Sequence, residues 1–174
     1  MLKDVIASLI YRVIYKTEEV PLTDLFETVE ASKYHHIVVA LNYIAFEKYY
    51  GDSEDGWEFY KSALRKYIRD DSQFDSKWHE QFVTLAESFA EKGYDKRSLL
   101  FVDSDNNCIN GTHRLALCVR HGVETVSILR IKRKLIPPTW KEQLDTYGLD
   151  EEGRARILDA YRKMYAKLKQ NKQI

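Results

Sequence analysis

The run most able to do chemistry is Asn110-Gly111-Thr112-His113-Arg114, where an apolar stretch passes through a glycine into residues that read as the first turn of a helix. The first N–H groups of a helix have no partner inside it and carry the positive end of its dipole, so a phosphate can be held there. Glycine lets such an anion approach the backbone, and Thr112 adds a hydroxyl donor. Arg114 brings a fork of charge-assisted donors, while His113 can donate a hydrogen bond and gain charge near an anion. By itself the same pattern also describes a turn before a helix, with an arginine on its surface.

Other reactive groups divide between chemical and structural duty. Asp103 and Asp105 sit in Asp103-Ser104-Asp105-Asn106-Asn107, where aspartates bond their own backbone in turns or assist a magnesium ion from its outer sphere. His35 and His36 are adjacent and would point about 100° apart on a helix, and His113 and His121 would stand roughly 12 Å apart along one. No zinc-type ligand cluster is expected. Two cysteines, Cys108 and Cys118, cannot form a disulfide framework and read as small buried apolar groups. Tyr49, Tyr50, Trp57 and Tyr60 flank the acidic, glycine-bounded loop 51–56; they read as core, or as a lid or acceptor-recognition surface.

These groups must be positioned by a chain of 174 residues with 44% hydrophobic and 13% aromatic content, enough for one domain with a core. Twenty-seven Lys+Arg balance twenty-seven Asp+Glu. That neutrality removes the electrostatic basis for a nucleic-acid-coating protein. The longest apolar stretch, Ile37 to Phe46, is interrupted by Asn42 and falls short of the roughly 20 residues that span a bilayer. With an early acid in Met1-Leu2-Lys3-Asp4 and free thiols, the expected location is cytoplasmic.

Periodicity predicts a short helix from Val5 running into a strand near 11–16, then a helix carrying Tyr34, Val38, Leu41, Ala45 and Tyr49 up to Gly51. A second helix follows with Trp57, Tyr60, Leu64, Tyr67 and Ile68 on one face. A third has Ser76 as N-cap, a stripe of Trp78, Phe82, Leu85 and Phe89, and Gly93 at its end. The period then changes to a strand at 98–102, a turn at 103–107, a returning strand at Cys108 and Ile109, a helix at 112–121 closed by Gly122, and a strand at 125–131. Pro137-Pro138 mark a boundary before helices near 139–146 and 150–170, the last with Ile157, Tyr161, Met164 and Leu168 on one face. Its many cations suit the helix dipole, or a basic docking face.

The order and spacing of Leu85-Ala86-Glu87-Ser88-Phe89-Ala90-Glu91-Lys92-Gly93, then Leu99 to Asp103, then Ile109-Asn110-Gly111-Thr112-His113-Arg114-Leu115-Ala116 resemble the ParB/sulfiredoxin-like superfamily. The resemblance spans residues 20–131. It implies a single α/β (mixed α+β) domain over 1–174: a small sheet in a 20–131 core, a helical insertion at about 33–93 and a helical extension at 137–174. It also implies that the Gly-x-His-Arg loop, with Asn110, holds the phosphates of ATP or another nucleotide with its Mg²⁺.

Departures narrow the activity. The sulfiredoxin cysteine is replaced by Thr112, a poor nucleophile without an activating base, and no helix-turn-helix reader follows Ile131 as in the chromosome-partition members. The small-molecule kinases of the superfamily carry acids early in the chain, and Glu27 and Glu30, after Val20-Pro21-Leu22, stand in about that place. By residue type alone, both read as solvated first-turn acids of the next helix. The resemblance implies Glu30 as base for a small polar hydroxyl acceptor, Glu27 as its stand-in, and His113 and Arg114 stabilising the transferring group. A non-catalytic nucleotide sensor is the alternative, and a nucleic-acid-binding or nuclease-like protein is disfavoured by charge.

Overall fold

The computed structural model describes residues 15–28, 34–68, 70, 72, 74–132, 134 and 138–171. They form a mixed α/β fold around a four-stranded sheet in the order β1-β4-β2-β3. The strands are β1 (Tyr15–Pro21), β2 (Leu100–Val102), β3 (Cys108–Asn110) and β4 (Thr125–Ile131). β1 pairs antiparallel with β4 from Tyr15 opposite Ile131 to Pro21 opposite Thr125. The first strand therefore lies later than the expected 11–16: seven residues of β4 set the register, and Pro21 is tolerated at the end of an edge strand. The helix expected from Val5 lies outside the described residues.

β2 turns back antiparallel into β3, and β4 then returns parallel to β2. The chain crosses between them through α5 (Thr112–Arg120), so α5 must begin at the sheet edge where β3 ends. The remaining helices are α1 (Tyr34–Ala45), α2 (Glu47–Tyr50), α3 (Gly56–Ala63), α4 (His79–Lys92), α6 (Trp140–Tyr147) and α7 (Glu151–Asn171). α1 is the hub. His35, His36, Ile37, Val39, Ala40, Leu41, Asn42, Ile44 and Ala45 are all buried, and it packs against α3, α5, α6 and α7. A helix covered on every side loses the one-sided apolar stripe of a surface helix.

The helices between residues 34 and 92 differ from their expected outline in four places. α1 does not continue to Tyr49: it breaks at Phe46, beside the carbonyl of Ile44 on which Gly56 of α3 presses so closely that no Cβ would fit. α3 ends at Ala63 rather than Ile68, because Arg65, Lys66 and Tyr67 are exposed and have no apolar face to bury. Ser76 is not an N-cap but lies within a π-helical turn, Phe74–Trp78, and its hydroxyl donates to the Ser72 carbonyl. Trp78 is 44% exposed, so the buried stripe of α4 is Phe82, Ala86 and Phe89.

Candidate functional site

β3 ends at Asn110, and Gly111 turns the chain onto α5 with φ +101°, a conformation that L side chains rarely adopt. A Cβ there would stand 2.5 Å from Leu100 Cδ2 and 3.2 Å from Arg114 Nη2, so glycine is required by packing as well as by dihedral. No side chain caps α5, which leaves its first N–H groups directed out of the helix at Thr112, His113 and Arg114.

The three side chains after the glycine are each anchored. The Asn42 amide of α1 donates to Thr112 Oγ1 at 3.0 Å, from a side chain that is itself buried. Arg114 Nη1 donates to Ser98 Oγ at 2.7 Å and to the Leu99 carbonyl at 2.9 Å, strapping the loop to the start of β2. Among the described residues no carboxylate pairs with this guanidinium. The His113 ring packs on Phe82 of α4, centroids 4.5 Å apart. Burial and then the neighbouring Arg114 charge push its pKa down to about 4, so the imidazole is neutral at neutral pH. The charge expected of His113 is thus absent at rest.

The turn that carries β2 into β3 is fully committed to structure. Asp103 Oδ1 accepts from the N–H groups of Asp105 and Asn107, and Oδ2 accepts from the Asn107 amide. Asp105 pairs with Lys134 at 2.6 Å. Arg130 clamps the turn by donating to the Asp103 carbonyl and Asn106 Oδ1 while pairing with Glu18 of β1. Those aspartates are therefore turn residues. Among the described residues no group of three or more His, Cys, Asp or Glu can hold a metal ion.

Of the two early acids, Glu30 lies outside the described residues. Glu27 is half-buried, and its carbonyl accepts from the Tyr161 hydroxyl of α7, while Phe26 stacks on His36 at 5.5 Å. His35 and His36 do not diverge as a bare helix wheel suggests. Their rings lie 4.1 Å apart, and both reach the Leu25 carbonyl, because the 3-10 turn Leu22–Leu25 folds over that end of α1.

The thiols of Cys108 and Cys118 are buried and pushed up to about 12, chiefly by desolvation. The acidic loop is held down rather than poised: Arg156 of α7 pairs with Asp55 and Glu47, and its hydrogen bonds hold the Asp55 carboxyl well below the usual range. Elsewhere on α7, Arg154 pairs with Asp145, Lys163 pairs with Asp159, and Lys167 donates to the Arg120 carbonyl. An open groove of about 900 Å³, lined in part by Phe59, Asp150, Glu152 and Arg156, includes no residue of the Asn110–Arg114 run.

Sequence reasoning missed Asn42, whose only signal was a polar residue inside the longest apolar run. It also missed Ser98 and Phe82, the supports of Arg114 and His113. No helix of the described residues is long and apolar enough to cross a membrane. Comparison of the chain with protein-family models, with curated proteins and with solved structures finds no match.

Proposed function

We propose that this chain binds the phosphates of a nucleotide at the N-terminus of α5 and, with ATP, transfers the terminal phosphoryl group to a small hydroxyl compound. One observation carries the binding half: a left-handed Gly111 opens an uncapped helix beside an Arg114 guanidinium that is fixed by two hydrogen bonds and has no carboxylate partner among the described residues. N–H groups at Thr112 to Arg114 hold phosphate oxygens, and Arg114 supplies the compensating charge. Magnesium bound with the nucleotide supplies further neutralisation of the charge that develops in transfer.

Transfer needs a carboxylate at the acceptor oxygen, the role given to Glu30 or Glu27. Phe26 is seated on His36, and six residues of α1 separate His36 from Asn42, a rise of roughly 9 Å. A second reading, nucleotide sensing without transfer, is favoured by the neutral His113.

Calorimetry with ATP, ADP, CTP and GTP, with and without Mg²⁺, tests binding. Arg114→Ala should lose it, and equal binding by wild type and variant refutes the site. A ³¹P screen of serine, sugars and polyols with Mg²⁺-ATP tests transfer. Binding without ADP or a phosphorylated product from any acceptor replaces transfer with sensing.

A further inference from the structure

A second cavity, about 210 Å³, opens between α2, α3 and α4 and is lined in part by Phe82, whose ring also packs on His113. Its walls are Phe46, Trp57, Phe82 and His79, with Tyr49 at the mouth. Trp57 stands edge-on to Phe82 at 5.2 Å and to His79 at 4.7 Å. Phe46, Trp57 and Phe82 are buried and pack on one another, yet leave this space beside them, and Tyr49 remains 38% exposed there.

We infer that this cavity seats a nucleobase, the base of the nucleotide whose phosphates lie on the α5 turn; the inference rests on the phosphate-binding reading above. Size is the first argument: whole-ligand pockets run to about 300–1,000 Å³, so this one admits a ring system rather than a nucleotide. Chemistry is the second. Flat π-faces suit a planar base, and His79 and Lys48 add the few polar groups that fix its edge. A polyol acceptor would instead lose hydrogen bonds to water against Trp57 and Phe82 without replacing them. Place is the third. Phe82 lines the cavity and its ring packs on that of His113 at 4.5 Å, so one side chain is shared between the cavity and the uncapped turn.

The test is calorimetry of the full chain with sodium tripolyphosphate, with ATP, GTP and CTP, and with adenosine, guanosine and cytidine. At least one nucleotide should bind tenfold or more tightly than tripolyphosphate. Val83→Trp, which fills the cavity from α4, should abolish that advantage and leave tripolyphosphate binding unchanged. Saturation-transfer NMR on the wild type gives a readout independent of the variant's folding: base protons should receive magnetisation from the aromatic rings. Tripolyphosphate binding as tight as that of every nucleotide, with no transfer to base protons, overturns the nucleobase cavity and leaves the phosphate site standing. Nucleoside binding that Val83→Trp removes, with no tripolyphosphate binding, keeps the cavity and overturns the phosphate site. Binding of neither overturns both.

Discussion

Asn42 and Thr112, 70 residues apart in the chain, are joined by a 3.0 Å hydrogen bond in which the buried amide donates to the threonine hydroxyl. The bond ties the central helix α1 to the first residue of α5, so the packing of the hub sets the position of the Gly111–Arg114 turn. Asn42→Leu should cost about 1–3 kcal/mol in urea unfolding, because it removes the partner of a half-buried hydroxyl. In a double-mutant cycle, Asn42→Ala and Thr112→Ala should show a coupling of about 1 kcal/mol. A coupling near zero would mean the bond does not position the turn.

His113 makes stability depend on pH in a definite direction. Its folded pKa of about 4 lies below the ordinary 6.5, so the unfolded chain takes up the proton first as pH falls. The contribution is therefore full above pH 6.5, is lost through the window from 6.5 down to about 4, and is gone below it. The whole loss is on the order of 3 kcal/mol. His121 is also shifted down, by burial and by Arg120, but it is common to both proteins when wild type is compared with His113→Gln. Urea unfolding between pH 7 and pH 4.5 should show a steeper fall for wild type; parallel curves would contradict a buried, neutral His113.

Two glycines separate dihedral strain from crowding. Gly51 and Gly111 both have positive φ, but a Cβ at Gly51 meets nothing within 4 Å while one at Gly111 meets Leu100. Gly51→Ala should cost about 1 kcal/mol, and Gly111→Ala measurably more. Adding Leu100→Val to Gly111→Ala should recover part of the excess, and thermal melts of the four proteins would check it.

The thiols should be inert in the native state. Both are buried and raised to about 12, so thiolate is scarce at pH 8. A chromogenic disulfide reagent should modify neither within the time that labels both in urea; rapid native labelling of either one would contradict the packing.

Where periodicity was strong and uninterrupted, the sequence foretold the structure closely. β4 occupies 125–131, and the stripe Ile157, Tyr161, Met164 and Leu168 is the buried face of α7. The turn of glycine into helix at 111–112 was legible because Gly111 follows a short returning strand and precedes residues that read as a first helical turn. The centre of the fold was less so. α1 is covered on all sides, so its pattern could not reveal which faces pack where, and its break at Phe46 is imposed by Gly56 from another helix. Asn42 looked like a flaw in an apolar run because its partner is 70 residues away. His113 read as a charge donor from its type alone, whereas burial, to which the Phe82 ring of α4 contributes, and then the Arg114 charge hold it neutral.

The most direct test of the phosphate site is a ¹⁵N-labelled NMR titration with Mg²⁺-ATP, following the backbone amides at the start of α5. The account predicts that the Thr112, His113 and Arg114 amides move downfield together and saturate with the calorimetric affinity, as N–H groups do when they donate to phosphate oxygens. Saturable binding that leaves these three amides in place, or their failure to move at any nucleotide concentration, would contradict it.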